Sequence, residues 1–128
     1  MKAELYIRCS CINGEGPVWD EARQCLHFVD VFGNCIHTWE NGVLSAVEVG
    51  ENIGCAVPRS GGGMVAGLLS GWYAVDPASG EKRFLCDPES NPRTRCNDGK
   101  ADPFGNLWIG NMSRSLDSGA GEAQPEAG

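Results

Sequence analysis

Short apolar runs separated by polar or glycine-rich turns extend along most of the chain. The first such runs lie at residues 18–20, 25–30, 35–39 and 43–49. Apolar runs of about four to eight residues between turns predict β-strands, and the pair Asn41-Gly42 before the last run predicts a tight hairpin. This part of the chain is therefore predicted to form an antiparallel meander of four strands.

The same pattern returns further along the chain. A second meander is predicted at residues 55–58, 64–69, 71–75 and 82–85. A third begins at residues 100–101 and continues, after a turn at 102–106, into a strand at 107–112. Equivalent positions recur about every 40 residues, and periods of about 40–45 residues with four strands each are typical of propeller blades. A single β-sandwich with coincidental spacing is the alternative.

The two ends of the chain depart from this pattern. Residues 1–12 alternate in polarity and are predicted to form a further strand, followed by a tight loop at 13–17. Residues 113–128 contain Leu116 as their only large apolar side chain, which predicts a flexible tail. Because a closed ring typically needs about 4–8 blades, residues 1–112 are predicted to form an all-β, partial propeller of about two and a half blades.

Composition and charge exclude several classes of protein. The chain has 128 residues, 41% of them hydrophobic and 18 of them glycine, which favours one small, turn-rich β domain over a disordered chain. Its formal net charge is −7, without a basic block, so no nucleic-acid partner is expected. No run of about 18 apolar residues is present, so no membrane span is expected, and residues 1–10 lack the apolar core of a secretory signal.

Seven cysteines occur, an odd number, and none are arranged as Cys-x-x-Cys. The pair Cys9-x-Cys11 is a poor zinc signature, because structural zinc usually requires two such pairs or added histidines. His27 and His37 lie inside apolar runs and are interpreted as strand residues beside buried thiols rather than as ligands. Reduced thiols in a cytoplasmic protein are the simplest interpretation of this pattern.

Two motifs resemble those of a known family. The first is Gly14-Glu15-Gly16-Pro17-Val18-Trp19-Asp20, followed by Leu26-His27-Phe28-Val29-Asp30; the second begins Arg95-Cys96-Asn97-Asp98-Gly99 and continues to Met112. In this order and separation, they are similar to the motifs of the gluconolactonase/regucalcin (senescence marker protein) family of six-bladed propellers. The resemblance covers residues 8–112 and implies the N-terminal portion of such a propeller.

The resemblance implies functional roles for three residues. Glu15 matches the glutamate that binds a divalent metal in the central channel of the family's propellers. Arg95 and Asn97 match the residues that contact a sugar lactone, the small-molecule partner expected here. The metal, Ca²⁺, Zn²⁺ or Mn²⁺, would polarise the lactone carbonyl and help to activate water. Arginine can stabilise developing oxyanion charge, and asparagine can both donate to and accept from hydroxyl groups.

The resemblance also implies that the site is incomplete in this chain. In the family, the remaining metal ligands are an asparagine and an aspartate from later blades, and the aspartate is the expected catalytic base. The catalytic residues of this chain therefore stay unknown, and its metal is expected to be weakly bound or lost. A further polar substrate contact in some members falls near Arg114, Ser115 and Asp117, none of which can be matched.

The residues themselves allow plainer interpretations. From the residues alone, Glu15 is interpreted as an exposed turn glutamate rather than as a ligand, and Asn97-Asp98-Gly99 as a turn signal. Asp20 and Asp102 are interpreted as turn residues, and the four tryptophans as blade core: Trp19, Trp39, Trp72 and Trp108. Three functions stay open, namely a metal-dependent lactone hydrolase, a catalytically inactive propeller fragment and a calcium-binding protein of the regucalcin kind. Open blade edges predict marginal stability and self-association.

Overall fold

The computed structural model describes residues 1–114, which form ten β-strands. They are β1 (Gly14–Asp20), β2 (Cys25–Asp30), β3 (Cys35–Glu40), β4 (Val43–Glu48), β5 (Ile53–Pro58), β6 (Met64–Leu68), β7 (Gly71–Val75), β8 (Lys82–Cys86), β9 (Thr94–Ala101) and β10 (Leu107–Ser113). Antiparallel pairing joins them in three sheets, with the strand orders β1-β2-β3-β4, β5-β6-β7-β8 and β9-β10. The all-β prediction of two blades and part of a third is confirmed.

Turn chemistry explains where most strands begin and end. Asn41 and Gly42 have φ angles of 50° and 81°, as the central residues of a type I′ hairpin turn require. The predicted roles of Asp20 and Asp102 in blade turns are confirmed, because each carboxylate accepts hydrogen bonds from two backbone N–H groups of its own turn. These local contacts end one strand and reverse the direction of the chain, so that the next strand pairs with it in the sheet.

The hydrophobic core lies between the first and second sheets. Val29 and Ile36 contribute from the first sheet, and Ile53, Met64 and Leu68 contribute from the second, each no more than 1% exposed. Burial of one such side chain stabilises the fold by about 1.5–3 kcal/mol. The core therefore fixes the second sheet against the first.

A glycine allows the third sheet to approach the second. β5 contacts β1 on one side and β9 on the other. A Cβ atom at Gly54 of β5 would lie 2.3 Å from the carbonyl oxygen of Asn97 and 2.4 Å from that of Cys96. No other residue fits without displacing the backbone of β9, so Gly54 sets the position of the second motif.

The prediction of a strand at residues 1–12 is wrong. Residues 1–11 form no strand and are mostly exposed, because alternation alone provides no hydrogen-bonding partner and no described strand pairs with them. The segment is attached instead at its end, where the Asp30 carboxylate accepts hydrogen bonds from the backbone N–H groups of Ile12 and Asn13 at 2.8 and 2.9 Å.

The prediction of a loop at residues 13–17 is also wrong, because β1 begins at Gly14. Glu15 pairs with Val29 of β2, and the register then shifts before Val18. Gly16, with a φ of +57°, lies in this bulge. A bulge accommodates an extra residue inside a paired strand, which explains how a glycine- and proline-rich stretch remains in the sheet.

The turn predicted at Asn97-Asp98-Gly99 lies in the middle of β9, where Gly99 pairs with Ile109 of β10. The assignment of Trp19 and Trp108 to the blade core is wrong as well, since they are 51% and 69% exposed. Their side chains lie on strand faces that no sheet covers within residues 1–114.

The C-terminal boundary differs slightly from the prediction. β10 ends at Ser113, and most of the predicted tail, residues 115–128, lies outside the described residues. Within residues 1–114, no helical segment has the length and hydrophobicity that a bilayer crossing requires.

Candidate functional site

The predicted site residues lie on the first strands of two different sheets. Glu15 is on β1, and Arg95 and Asn97 are on β9. The strands approach where the Cβ position of Gly16 is 3.8 Å from Asp98 Oδ1. Glu15 and Asn97 are therefore each one residue from the contact between β1 and β9.

A lysine reinforces this contact between the first and third sheets. Lys100 Nζ donates to the carbonyl oxygen of Pro17 at 3.2 Å. Lys100 is the next residue after the Arg-x-Asn-Asp-Gly motif, so the bond holds the end of that motif against β1. The bond is exposed, and a typical intramolecular hydrogen bond contributes only about 0.5–1.5 kcal/mol to stability.

Glu15 presents an unengaged carboxylate. The residue is exposed, and within residues 1–114 its side chain forms no hydrogen bond or ion pair. Its backbone is held in β1 by the pairing with Val29 just before the bulge. A carboxylate on a fixed backbone with both oxygens available is a suitable ligand for a hard cation.

Arg95, in contrast, is buried, with 6% of its surface exposed. Its Nη1 donates to the carbonyl oxygen of Cys96 at 2.9 Å and to Asn97 Oδ1 at 3.5 Å. The guanidinium carbon also lies 5.9 Å from the ring centre of Phe32, a distance typical of cation–π contacts. These partners compensate the charge for its lost hydration.

Arg95 and Asn97 lie on one face of β9, two residues apart, and the structure brings them together. It does not join either of them to Glu15 by a hydrogen bond within residues 1–114. The three residues therefore lie on two strands of different sheets, Glu15 on β1 and the pair Arg95 and Asn97 on β9.

A cleft of about 360 Å³ opens beside Arg95. Its lining includes Leu68, Glu89, Asn111 and Arg114, and the Asn111 amide donates to the Glu89 carboxylate. Such a mixture of amide, carboxylate and guanidinium groups can bind a polyhydroxylated ligand. Among the described residues, the lining does not include Glu15.

Arg114, which sequence comparison left unmatched, thus contributes to this cleft, and its Nη1 donates to the carbonyl oxygen of Pro92 at 3.0 Å. Ser115 and Asp117 lie outside the described residues. No local sequence signal identifies Arg114 as a lining residue, because the loop at residues 87–92 that faces it is distant in sequence.

Asp30 fixes the start of β1 and hence the backbone before Glu15. Burial opposes ionisation of its carboxyl, but hydrogen bonds from the backbone N–H groups of Asn13, Ile12 and Gly33 outweigh it and hold the pKa below its ordinary value. Asp30 is 4% exposed and remains an anion at neutral pH. It acts through the backbone rather than as a free ligand.

A second polar cluster lies at the other end of β1. Cys25 Sγ is 3.3 Å and Asp20 Oδ2 is 3.7 Å from His27 Nε2, and His27 Nδ1 is 2.9 Å from Thr38 Oγ1. Cys25 and His27 are 0% and 1% exposed. Burial, together with Arg23, lowers the pKa of His27 despite Asp20, and burial raises the pKa of Cys25.

The predicted position of His27 beside a buried thiol is confirmed, whereas the carboxylate of Asp20 was not predicted there. The available signal was the spacing Cys25-x-His27, which places both side chains on one strand face. The four-residue turn before Cys25 brings Asp20 directly opposite it in the hairpin.

A third polar cluster joins Cys11, Asp30 and His37. Cys11 Sγ is 3.7 Å from His37 Nε2, and the imidazole of His37 stacks on Phe28 with ring centres 4.8 Å apart. Burial, with the neighbouring Cys9, raises the pKa of Cys11 to about 11. His37 therefore also lies beside a thiol, but Cys11 is only partly buried, so the buried thiol predicted beside His37 is not found within residues 1–114.

Comparisons with known proteins agree with these motifs. The family described as SMP-30/Gluconolactonase/LRE-like region matches residues 13–124. The chain is 32% identical to a 6-deoxy-6-sulfogluconolactonase from Pseudomonas putida and 31% identical to regucalcin from Danio rerio, matching 93% and 91% of its own length. It covers 42% and 40% of those relatives, so it spans less than half of their length.

A solved structure supports the same fold. The chain superposes on regucalcin from Agrobacterium tumefaciens, described as a calcium-binding protein, with a TM-score of 0.75 and 26% identity. The match covers 82% of this chain and 37% of that protein.

Proposed function

The chain belongs to the SMP-30/gluconolactonase/LRE-like family, and from this premise we propose that it forms part of a divalent-metal-dependent site for the hydrolysis of sugar lactones. In this proposal Glu15 is one metal ligand, and Arg95 and Asn97 contact the lactone. The observation that supports it is the approach of the two motifs, where the Cβ position of Gly16 on β1 is 3.8 Å from Asp98 Oδ1 on β9.

The carboxylate of Glu15 is chemically suited to bind a hard cation. The carboxylate is exposed and engages no other group within residues 1–114. It supplies at most two of the about six to eight oxygens that Ca²⁺ requires, and the family resemblance attributes further ligands to later blades. We propose Ca²⁺, Zn²⁺ or Mn²⁺ as the ion, which when bound would supply Lewis acidity towards the lactone carbonyl.

Asn97 and Arg95 would bind and orient the substrate. Because Arg95 donates to Asn97 Oδ1, it fixes which end of the amide faces the guanidinium and leaves the Nδ2 hydrogens to donate to lactone hydroxyl groups. The positive charge of Arg95 favours an oxygen that gains negative charge during acyl transfer. The adjoining cleft provides room for the polyhydroxylated part of the ligand.

A second candidate is binding without turnover, as a calcium-binding protein of the regucalcin kind or an inactive propeller fragment. The burial of Arg95 favours it, since a guanidinium that is 6% exposed and bound to a carbonyl and an amide contributes to structure as it stands. In this alternative Glu15 binds a cation and no lactone is hydrolysed.

One experiment separates these candidates. Gluconolactone hydrolysis and thermal stability are measured for the chain with added Ca²⁺, Zn²⁺ or Mn²⁺, beside the variants Glu15→Gln and Asn97→Ala. The hydrolase proposal expects metal-dependent turnover that falls at least about 100-fold in either variant. Glu81→Gln, an exposed carboxylate in a turn of the second sheet, is the control and should behave as wild type.

The outcomes are distinct. Metal-dependent stabilisation without turnover, lost in Glu15→Gln, would replace the hydrolase by the binding candidate. No turnover and no stabilisation with any of the ions would overturn the hydrolase and the calcium-binding protein and would leave the inactive propeller fragment.

We also propose a cytoplasmic location and self-association through open blade edges. All seven cysteines are free thiols, as expected in a reducing compartment, and cell fractionation tests the location. Every residue of β8, the outer strand of the second sheet, is exposed, so its unpaired backbone groups are available to another chain.

A further inference from the structure

The cluster at the C-terminal end of β1 has the composition of a metal site. We propose that Asp20, Cys25 and His27 bind a zinc ion at a site separate from Glu15. Asp20 is five residues beyond Glu15 on β1, and strands rise about 3.3 Å per residue, so roughly 15 Å separates the two sites. The proposal therefore neither requires nor follows from the proposed lactone site.

The ligand atoms are spaced close to what zinc coordination requires. Zinc bonds of about 2.3 Å to sulfur and about 2.0 Å to nitrogen or oxygen place two ligands of a tetrahedron roughly 3.3–3.6 Å apart. His27 Nε2 lies 3.3 Å from Cys25 Sγ and 3.7 Å from Asp20 Oδ2. All three ligand atoms lie within 4.8 Å of one another, so an ion fits between them with little movement.

A hydrogen-bond partner at the other ring nitrogen fixes the orientation of the histidine. His27 and Thr38 are directly opposed on β2 and β3, and His27 Nδ1 lies 2.9 Å from Thr38 Oγ1. When Nδ1 donates its hydrogen to the hydroxyl, Nε2 presents its lone pair towards Cys25 and Asp20. A fixed ring orientation and tautomer of this kind is typical of histidines that bind metals.

Rigidity comes from the hairpin itself. Asp20 and Cys25 are opposed residues of β1 and β2. Asp20 Oδ1 accepts backbone hydrogen bonds from Ala22 and Arg23 at 3.0 and 3.1 Å, which leaves Oδ2 directed at the histidine. The carboxylate can therefore bind an ion without giving up the turn.

The ligand set selects zinc over calcium. A thiolate and an imidazole are soft to intermediate ligands, whereas calcium prefers oxygen alone. Three protein ligands leave a fourth tetrahedral position, and the side chain of Asp20, 12% exposed, marks where solvent reaches the cluster.

The cluster of Cys11, Asp30 and His37 is a weaker candidate. Both Asp30 oxygens already accept backbone hydrogen bonds, from Ile12, Asn13 and Gly33. An ion there would compete with the contacts that hold the start of β1.

Cobalt replaces zinc as a spectroscopic probe. Titration of the full chain with Co²⁺ should give a thiolate-to-cobalt charge-transfer band in the near ultraviolet, with visible bands of a tetrahedral ion, at one equivalent. Cys25→Ser should abolish the charge-transfer band, and Asp20→Asn, which keeps the Oδ1 acceptor of the turn, should weaken binding at least about tenfold. Cys86→Ser removes an exposed thiol on β8 and should leave the titration unchanged.

A further variant keeps all three ligands. Thr38→Val should retain the charge-transfer band while weakening cobalt binding by about 10–100-fold, because it removes only the support of the imidazole. Circular dichroism confirms that each variant is folded; should Cys25→Ser unfold, Asp20→Asn and Thr38→Val carry the test, and unchanged affinity in both would overturn the proposal.

Two other results would overturn it. One is a folded chain without a charge-transfer band, and the other is a band that survives Cys25→Ser but is lost in Cys11→Ser. Glu15→Gln should not alter the cobalt band, since a carboxylate gives no such transition, so failure of the lactonase proposal leaves this test intact.

Discussion

The two ends of β1 each carry a carboxylate, but the two carboxylates differ in exposure and in the side chains around them. At Glu15 the carboxylate is exposed and engages nothing else within residues 1–114. At Asp20 the carboxylate, a buried thiol and a buried imidazole lie within one hairpin of the first sheet. The Asp20 end lies within its own sheet, whereas the Glu15 end, which pairs with Val29 of that sheet, also approaches β9 at Gly16.

This difference separates contacts made within one sheet from contacts made between sheets. The turn between β1 and β2, at the Asp20 end, is built from residues close in sequence, so the contacts among its side chains form within a single sheet. The inner strands are assembled from residues far apart in sequence, such as Gly16 and Asp98, so their chemistry depends on how sheets pack. Changes at the inner strands should therefore leave the Asp20 end intact.

The largest effect is expected for Gly54→Val. Its side chain would begin 2.3 Å from the carbonyl oxygen of Asn97, so β5 and β9 must separate. We expect a loss of about 3 kcal/mol in the free energy of unfolding, measured by urea denaturation. Cobalt binding at Cys25 in the folded fraction should persist.

Gly61→Ala is the matched control for this substitution. Gly61 has no heavy atom within 4 Å of its Cβ position, so stability should stay within about 0.5 kcal/mol of wild type. Equal stability of the Gly54 variant and the control would contradict the close packing of the inner strands.

Asp30→Asn should weaken the Glu15 end by about 2 kcal/mol. The carboxylate accepts three backbone hydrogen bonds, and charge-assisted bonds of this kind are worth more than neutral ones. Because the folded pKa of Asp30 lies below 3.8, the advantage of wild type is present above that pH and is lost as the pH falls through the folded pKa. Urea denaturation between pH 7 and acid measures it.

Glu81→Gln controls for the loss of one charge and should not change stability at neutral pH, since the residue is exposed. A difference between wild type and Asp30→Asn that grew on acidification would have the wrong sign and would exclude this role of Asp30.

Leu85→Lys tests whether the unpaired edge of the second sheet, at β8, mediates self-association. Leu85 is 39% exposed on β8, and a charge on an edge strand opposes pairing with another chain. We expect the dissociation constant for self-association to rise at least about tenfold, or about 1.4 kcal/mol, in analytical ultracentrifugation. Phe104→Lys, at a turn position that is 90% exposed, should have no such effect.

The smallest effect is expected for Asp102→Asn, in the turn that corresponds to the turn of Asp20. Hydrogen bonds from Asn106, with further bonds from Trp108 and Phe104, lower the pKa of Asp102 to about 2. The carboxylate should therefore support its turn above the ordinary value of 3.8 and lose this role as the pH falls through about 2. NMR titration and amide exchange in the turn should detect a local change only; a midpoint near 3.8 would contradict it.

The sequence predicted β2 to β8 and β10 because each is bounded by turns whose residues act locally, as at Asn41-Gly42. It did not predict β9, where Asn97-Asp98-Gly99 was interpreted as a turn. It failed at residues 1–11, where alternation of Leu5, Ile7 and Cys9 suggested a strand, because a strand exists only with a partner. It also failed at Trp19 and Trp108, because side-chain type does not reveal which sheet face is covered.

The candidate site was predictable to a similar degree. The family resemblance, rather than a local pattern, assigned roles to Arg95 and Asn97, and the structure joins the two residues by a hydrogen bond. The burial of Arg95 and the need for glycine at position 54 could not be predicted, because both result from contacts between sheets that are distant in sequence.

The contact of Arg95 with Phe32 has a thermodynamic consequence. Phe32 lies in a turn of the first sheet and Arg95 on a strand of the third, so one guanidinium fastens two blades that share no strand pairing. A ligand that draws this guanidinium away from the ring must weaken the contact between the two sheets. By reciprocity, any change that strengthens the contact must lower the affinity for such a ligand. Ligand affinity and the stability of the contact between the first and third sheets then report on the same equilibrium.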